Sequence, residues 1–140
     1  MSQKKVLIVD DDPVVRKTLS MRLNLEGFAV TLAEDGAAAM SALRADPPDL
    51  VLLDVAFPPD VAHGGGVWRD GLTLLAWLRR MDEAKSIPVI MISGNDSPEQ
   101  IKRARAAGAA GYFPKPINHD MLAVVIRQLL GLPATQPQAA

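Results

Sequence analysis

Short runs of apolar residues alternate along this chain with segments that carry apolar side chains at helical spacing. The runs at 6–9, 50–53 and 89–92 are continuous and rich in Val, Ile and Leu, which is typical of strands that are buried on both faces of a parallel sheet. The partly alternating stretch at 28–33 predicts a strand nearer a sheet edge, and the stretch at 111–113 predicts a short fifth strand.

Helical patterns follow each of these strands. The predicted helices span residues 13–26, 36–45, 71–81, 98–107 and 118–131. Gly27 stands where a glycine commonly ends a helix, and Ser97 and Asn118 are N-cap residue types placed before the last two helices. Five β-α units in succession predict an α/β fold with one parallel sheet, right-handed crossovers and helices on both faces.

The bulk composition excludes several classes of protein. The formal net charge of the 140 residues is −1, which argues against nucleic acid binding by a broadly basic surface. The absence of cysteine excludes a disulfide framework and a thiolate metal site. The apolar run behind the N-terminal MSQKK is too short for a secretion signal or a membrane span. We therefore expect a soluble, cytoplasmic protein that binds neither nucleic acid nor membrane.

Polar side chains follow the predicted strands at their carboxyl ends, where open α/β sheets bind ligands. They are Asp10, Asp11, Asp12, Asp54, Ser93 and Lys115. Each one alone is weak evidence, because an aspartate after a strand is often a turn residue or a helix cap. Together they suit a phosphoryl group, since crowded carboxylates favour a cation, Mg²⁺ prefers oxygen ligands and a lysine can pair with an anion.

With these residues the sequence resembles the receiver domain of bacterial two-component response regulators, the CheY-like family. The resemblance rests on the motifs VLIVDDDP, PDLVLLDVAFP, IPVIMISG and AAGAAGYFPKPI, and it covers residues 4–131. It implies a doubly wound (βα)5 sandwich whose five parallel strands have the order 2-1-3-4-5. Residues 132–140 would then be a short flexible tail or a linker stub, and the sequence leaves open whether the receiver stands alone or was cut from a larger protein.

The resemblance also implies a Mg²⁺ site and a phosphoacceptor. Asp10 and Asp11 match the acidic pair that places the ion, with Asp54 and the backbone carbonyl of Ala56 as further ligands. Asp54 matches the aspartate that takes a phosphoryl group from a sensor histidine kinase or a phosphotransfer protein. Asp12 precedes Pro13, so we predict that it caps the first helix and leaves the other two acids to the metal.

Three further matches describe the response to phosphorylation. Ser93 matches the residue that contacts the phosphoryl group, and Lys115 matches the lysine that pairs with it. Tyr112 is predicted to belong to the cofactor-binding residues, and it matches an aromatic that turns inward when Ser93 is drawn to the phosphate. It could equally be a half-buried tyrosine of an edge strand. The resemblance implies signal output to an unknown downstream protein through the fourth helix, fifth strand and fifth helix. That face is also a candidate homodimer surface. Such a domain takes part in its own phosphoryl transfer and autodephosphorylation, and it is not a turnover enzyme.

The segment 59–69 departs from the family pattern. It reads as an insertion rich in glycine, and it carries His63 and Trp68. It could be a longer flexible loop, or a docking element beside Asp54. Ala56 and Asn95 stand where family members line the approach of water.

Two other functions remain open from the sequence. The first is a phosphatase that resembles the haloacid-dehalogenase superfamily, in which Asp10 and Asp12 form a D-x-D motif and Asp54 is incidental. The second is a receiver that no longer uses phosphate and acts as a constitutive docking module.

Overall fold

The computed structural model describes residues 3–55, 71–94 and 97–133. These residues form five strands and five helices in alternation, as predicted. The elements are β1 (Lys5–Val9), α1 (Pro13–Leu25), β2 (Ala29–Ala33), α2 (Gly36–Ala45), β3 (Leu50–Asp54), α3 (Gly71–Arg80), β4 (Val89–Ser93), α4 (Pro98–Ala106), β5 (Gly111–Pro114) and α5 (His119–Leu129). The predicted boundaries differ from these by one or two residues at most.

All five strands belong to one parallel sheet with the order β2-β1-β3-β4-β5. This is the order that the family resemblance implies, and it places β2 at an edge as its alternating pattern predicts. The residues of β3 and β4 are buried throughout, because central strands of a doubly wound sheet are covered on both faces.

Two apolar clusters cover the two faces of the sheet. One cluster joins the sheet to α2, α3 and α4 through residues such as Met40, Leu75 and Ala104. The other joins it to α1 and α5 through Leu19 and Ile126. The layers are therefore helix, sheet and helix, with the carboxyl ends of the strands left at one rim. Within the described ranges, no helix is long and apolar enough to span a membrane.

Helix caps begin several helices at the positions that the sequence predicts. In each case a side-chain oxygen accepts a hydrogen bond from a backbone N–H of the first turn. The bonds join Asp12 to Val14 at 2.9 Å, Ser97 to Gln100 at 3.2 Å and Asn118 to Met121 at 3.1 Å. Asp35 caps α2 in the same way, and Gly27 ends α1 with the positive φ of 94° that a C′ glycine provides.

The apolar faces of two helices differ from the simplest reading of their spacing. Val14 and Leu25 are 69% and 82% exposed, because they lie on the face of α1 opposite the buried Leu19 and Leu23. In α3, steps of three residues drift around a helix of 3.6 residues per turn. Leu72 is accordingly only partly buried, while Leu74 joins Leu75 in the core.

Candidate functional site

The strand register brings the predicted site residues to one rim of the sheet. The pairs nearest the rim are Val9 opposite Leu53, Asp54 opposite Ile92, and Ser93 opposite Pro114. Asp10 follows β1 directly, Asp54 and Ser93 are the last residues of β3 and β4, and Lys115 follows β5. Because parallel strands all point the same way, these four side chains lie at neighbouring strand ends.

Three carboxylates crowd together at this rim. Asp10, Asp11 and Asp54 each offer an oxygen that lies within 4.8 Å of the others. Asp10 and Asp54 are 1% and 4% exposed, whereas Asp11 is open to solvent. Burying two close carboxylates is unfavourable unless a positive charge offsets their repulsion. The carboxylates of the rim therefore favour a positive charge nearby, and they could hold a cation.

Lys115 supplies part of that positive charge. Its Nζ lies 3.2 Å from Oδ2 of Asp10 and 3.5 Å from Oδ2 of Asp54. Burial lowers the pKa of Lys115, but attraction to Asp54 and Asp10 raises it by more, so its pKa lies above the ordinary value and the ammonium is charged. Its backbone N–H donates to the carbonyl of Ser93 at 2.8 Å, which ties the ends of β4 and β5 together.

The two carboxylate oxygens of Asp10 have different partners. Oδ1 accepts a hydrogen bond from the backbone N–H of Asp12 at 2.8 Å. Oδ2 is buried and accepts no hydrogen bond from the described part of the chain, so its contact with Lys115 is an ion pair without hydrogen-bond alignment. A buried carboxylate oxygen without a hydrogen bond, beside two further carboxylates, fits a hard divalent ion such as Mg²⁺.

The third aspartate of the triplet has a different environment. Asp12 is exposed, and its Oδ1 accepts from the N–H of Val14 at the start of α1. It is the helix cap that the sequence predicts, and it is not among the clustered carboxylates.

Two of the remaining predicted residues, Ser93 and Tyr112, lie in the described strands, and the others do not. Ser93 is 2% exposed at the end of β4. Tyr112 is half-buried in β5 and packs against the apolar cluster beneath α2, α3 and α4, so neither of its two readings is excluded. Ala56, Asn95 and the insertion at 59–69 lie outside the described residues.

Two residues with structural links to the site were not predicted from the sequence. The N–H of Gly71 donates to the carbonyl of Val55 at 2.8 Å, and a Cβ at Gly71 would lie 2.2 Å from the backbone oxygen of Asp54. Only glycine can lie this close to the backbone of Asp54. In the sequence, the one indication of a special role for Gly71 was its place at the start of a predicted helix. Arg16 of α1 donates from Nη1 to the carbonyl of Asp10 at 2.6 Å, and nothing in the sequence distinguishes it from other helix cations.

Comparisons with known proteins agree with this arrangement. The family model described as "Response regulator receiver domain" matches residues 6–127. The transcriptional regulatory protein CseB of Streptomyces coelicolor is 35% identical over 128 residues, which is 91% of this chain and 50% of CseB. The response regulator MprA of Mycolicibacterium vanbaalenii is 34% identical over 126 residues, or 90% of this chain and 50% of MprA. The chain thus spans about half the length of these curated relatives.

Solved structures show the same fold. The chemotaxis protein CheY4 of Vibrio cholerae superposes with a TM-score of 0.80 at 27% identity, covering 91% of this chain and 99% of that one. A CheY-like receiver domain protein of Methanospirillum hungatei also gives 0.80, at 28% identity and with coverage of 93% and 95%. With the family match over most of the sequence, the chain belongs to the response regulator receiver family of two-component systems.

Proposed function

We propose that this receiver accepts a phosphoryl group on Asp54, in a Mg²⁺-dependent reaction in the cytoplasm, from a sensor histidine kinase or a phosphotransfer protein. The supporting observation is the position of Asp54, which ends β3 beside Asp10 and Asp11 and lies 3.5 Å from the ammonium of Lys115. Residues 4–131 form the phosphoacceptor domain in this proposal, and residues 132–140 form the tail or linker.

Asp54 acts as the nucleophile. One carboxylate oxygen attacks the phosphorus of a phosphohistidine, an acyl phosphate bond forms, and the phosphorus–nitrogen bond breaks as the imidazole leaves with its electron pair. Asp10, Asp11, Asp54 and the carbonyl of Ala56 would hold Mg²⁺, which when bound offsets the repulsion between the attacking carboxylate and the phosphoryl oxygens. Asp10 is buried directly after β1, so the sheet holds its carboxylate in one position.

Lys115 and Ser93 contact the transferred phosphoryl group on Asp54 in this proposal. A phosphoryl group adds about −1 to the site relative to the bare carboxylate near neutral pH, and the ammonium of Lys115 is already paired with Asp54. The hydroxyl of Ser93, on the neighbouring strand end, donates to one phosphoryl oxygen. The bond from the Lys115 N–H to the Ser93 carbonyl links the two residues through the backbone at the ends of β4 and β5.

The response then passes to the face formed by α4, β5 and α5. Ser93 moves toward the phosphoryl group, Tyr112 repacks in β5, and the altered face is read by a downstream protein or by a second copy of the chain. The chain does not turn over a free substrate, because the product stays on Asp54 until autodephosphorylation restores the carboxylate. No direct contact with nucleic acid by this chain is required.

The phosphatase alternative receives less support from the site. It needs Asp10 and Asp12 to act together as a D-x-D pair. Asp12 instead turns its carboxylate to the N–H of Val14 as a helix cap, while Asp54 occupies the place beside Asp10 and Lys115.

The test is phosphorylation by a small-molecule donor. The protein is treated with acetyl phosphate, with and without Mg²⁺, and its intact mass is measured for the natural sequence, for Asp54→Asn and for the control Asp82→Asn, whose carboxylate side chain is 93% exposed at a surface ion pair. We expect one phosphoryl adduct that requires Mg²⁺, is lost in Asp54→Asn and persists in Asp82→Asn. If Asp54 accepts no phosphoryl group from any donor while a partner still binds, the docking-module alternative is correct instead.

A further inference from the structure

Arg16 reaches from α1 back to the end of β1. Its backbone N–H donates to the carbonyl of Asp12 at 3.0 Å, as one of the first bonds of the helix. Its side chain extends past the cap, and Nη1 donates to the carbonyl of Asp10 at 2.6 Å. That oxygen follows the last residue of β1, and no backbone N–H of the described residues donates to it. The charged guanidinium makes a stronger bond to it than a neutral donor would.

The carbonyl of Asp10 belongs to the peptide group that joins Asp10 to Asp11. Because a peptide group is planar, holding its oxygen fixes the direction in which the chain leaves Asp10 and enters Asp11. Asp10 has a second restraint, the bond from the Asp12 N–H to its Oδ1. The Asp11 carboxylate is exposed and takes part in none of the side-chain hydrogen bonds or ion pairs of the described residues. Its placement therefore depends on the backbone that Arg16 holds.

We propose that Arg16 is a positioning residue for the metal site, which orients the Asp10–Asp11 peptide so that both carboxylates face a divalent cation. This inference rests on the proposed function, since it concerns the same acidic pair. Arg16 itself does not touch the metal or the phosphoryl group.

The direction in which Mg²⁺ affinity changes on removal of Arg16 distinguishes a positioning role from a purely electrostatic one. A guanidinium near an acidic site repels a divalent cation, so removing the charge of Arg16 would tighten Mg²⁺ binding if charge were its whole contribution. If Arg16 orients the two acids, its removal weakens binding instead. Residues that orient metal ligands in this indirect way typically change metal affinity by about 10- to 100-fold.

The surroundings of Arg16 favour a variant that still folds. The side chain is half-buried and borders an open surface cleft of about 380 Å³, together with Leu32, Glu34 and Ala38. A shorter side chain at this position leaves space that is continuous with solvent, not a sealed cavity in the core, so the usual cavity cost does not apply.

The experiment is a calorimetric titration of the full chain with Mg²⁺. Arg16→Met keeps most of the apolar stem and removes the donor, Arg16→Lys keeps the charge and one point of donation, and Lys17→Met removes the neighbouring exposed cation as a control. We expect the dissociation constant to rise about tenfold in Arg16→Met, to rise less in Arg16→Lys, and to stay within about twofold of the natural protein in Lys17→Met.

Each outcome decides one question. If the natural sequence does not bind Mg²⁺, the proposed function fails before Arg16 is tested. If it binds Mg²⁺ and folded Arg16→Met binds equally well or more tightly, Arg16 is not a positioning residue. Should Arg16→Met lose its cooperative melting transition, Arg16→Gln takes its place and is judged by the same criterion. Loss of the fold in both variants contradicts the proposal, because it would assign Arg16 to the stability of the whole domain.

Discussion

Nζ of Lys115 lies 3.2 Å from Oδ2 of Asp10, an oxygen that is buried and accepts no hydrogen bond from the described residues. The same ammonium lies 3.5 Å from Oδ2 of Asp54. One lysine thus serves two buried carboxylates, with Asp11 close by as a third. Before any ion binds, negative charge exceeds positive charge at this rim. This excess should determine how the stability and Mg²⁺ binding of variants at Lys115 and Asp11 change.

Removing the lysine should make stability depend on Mg²⁺. In Lys115→Met the two buried carboxylates lose the ion pairs that Lys115 makes with them, so we expect the free energy of unfolding to fall by about 2 kcal/mol without Mg²⁺. Saturating Mg²⁺ should restore most of the loss, because the metal offsets the same charge. Urea denaturation with and without Mg²⁺ measures both effects.

Lys85→Met is the matched control for Lys115→Met. Lys85 pairs with Asp82 at 3.3 Å on the surface, and its side chain is 61% exposed, so its loss should change stability by less than about 1 kcal/mol and show no response to Mg²⁺. If Lys115→Met is as stable as the natural protein in the absence of Mg²⁺, Lys115 does not offset the repulsion between the buried carboxylates.

Asp11 and Asp12 should behave differently when altered. Asp11→Ala removes a clustered carboxylate and should abolish Mg²⁺-dependent phosphorylation. Asp12→Asn should mostly spare it, since asparagine also caps a helix, and Asp12→Ala should cost about 1 kcal/mol of stability while Mg²⁺ still binds. Phosphorylation by acetyl phosphate and Mg²⁺ calorimetry provide the measurements. Loss of metal binding in Asp12→Asn as complete as in Asp11→Ala would show that the two acids share one role.

Much of the fold followed from local patterns that tertiary structure preserves. The runs at 6–9, 50–53 and 89–92 are apolar throughout because both faces of those strands are covered, so they were recognisable without any partner. Ser97 and Asn118 were predictable as caps because a cap acts within a single turn. Alternation alone does not determine which strands pair, so the strand order came from the family resemblance and the sheet then confirmed it.

Contacts that depend on how elements dock were not predictable. The close approach of Gly71 to Asp54 is set by the seating of α3 against the end of β3. The bond from Arg16 to the Asp10 carbonyl depends on one rotamer of a long side chain. Each of these is a tertiary property that residue spacing does not encode.

Gly71 should tolerate no side chain. A Cβ there would lie 2.2 Å from the backbone oxygen of Asp54 and 2.9 Å from the Cα of Val55, so either α3 or the end of β3 must shift. We expect Gly71→Ala to lose about 1–3 kcal/mol of stability, measured by thermal or urea unfolding. Gly94→Ala is the control, because its added Cβ would have no neighbour within 4 Å in the described part of the chain. Equal stability of the two variants would show that the backbone at the end of β3 can shift to accommodate a side chain at little cost.

His119 should make stability fall at mildly acidic pH. Burial lowers the pKa of His119, the positive charge of Arg22 lowers it further, and Asp120 opposes them only in part. Because the folded state binds this proton less readily than the unfolded chain, the contribution is fully present above the unfolded pKa of about 6.5. It is lost progressively as the pH falls below that value.

The stability of His119→Gln, measured by urea denaturation between about pH 8 and pH 5, isolates this contribution. The difference in unfolding free energy between the natural protein and the variant should change in this interval, with the natural protein losing more stability on acidification. A difference that stays constant with pH would show that His119 does not titrate differently in the folded and unfolded states.

The most direct test of the whole account is to locate the phosphoryl group. After reaction with acetyl phosphate and Mg²⁺, borohydride reduction converts a phosphoaspartate to homoserine, and peptide mass spectrometry identifies its position. The account predicts conversion at Asp54 alone, dependent on Mg²⁺, with no steady hydrolysis of p-nitrophenyl phosphate. Conversion at Asp10, or steady hydrolysis that is lost in Asp10→Asn and kept in Asp54→Asn, would contradict it.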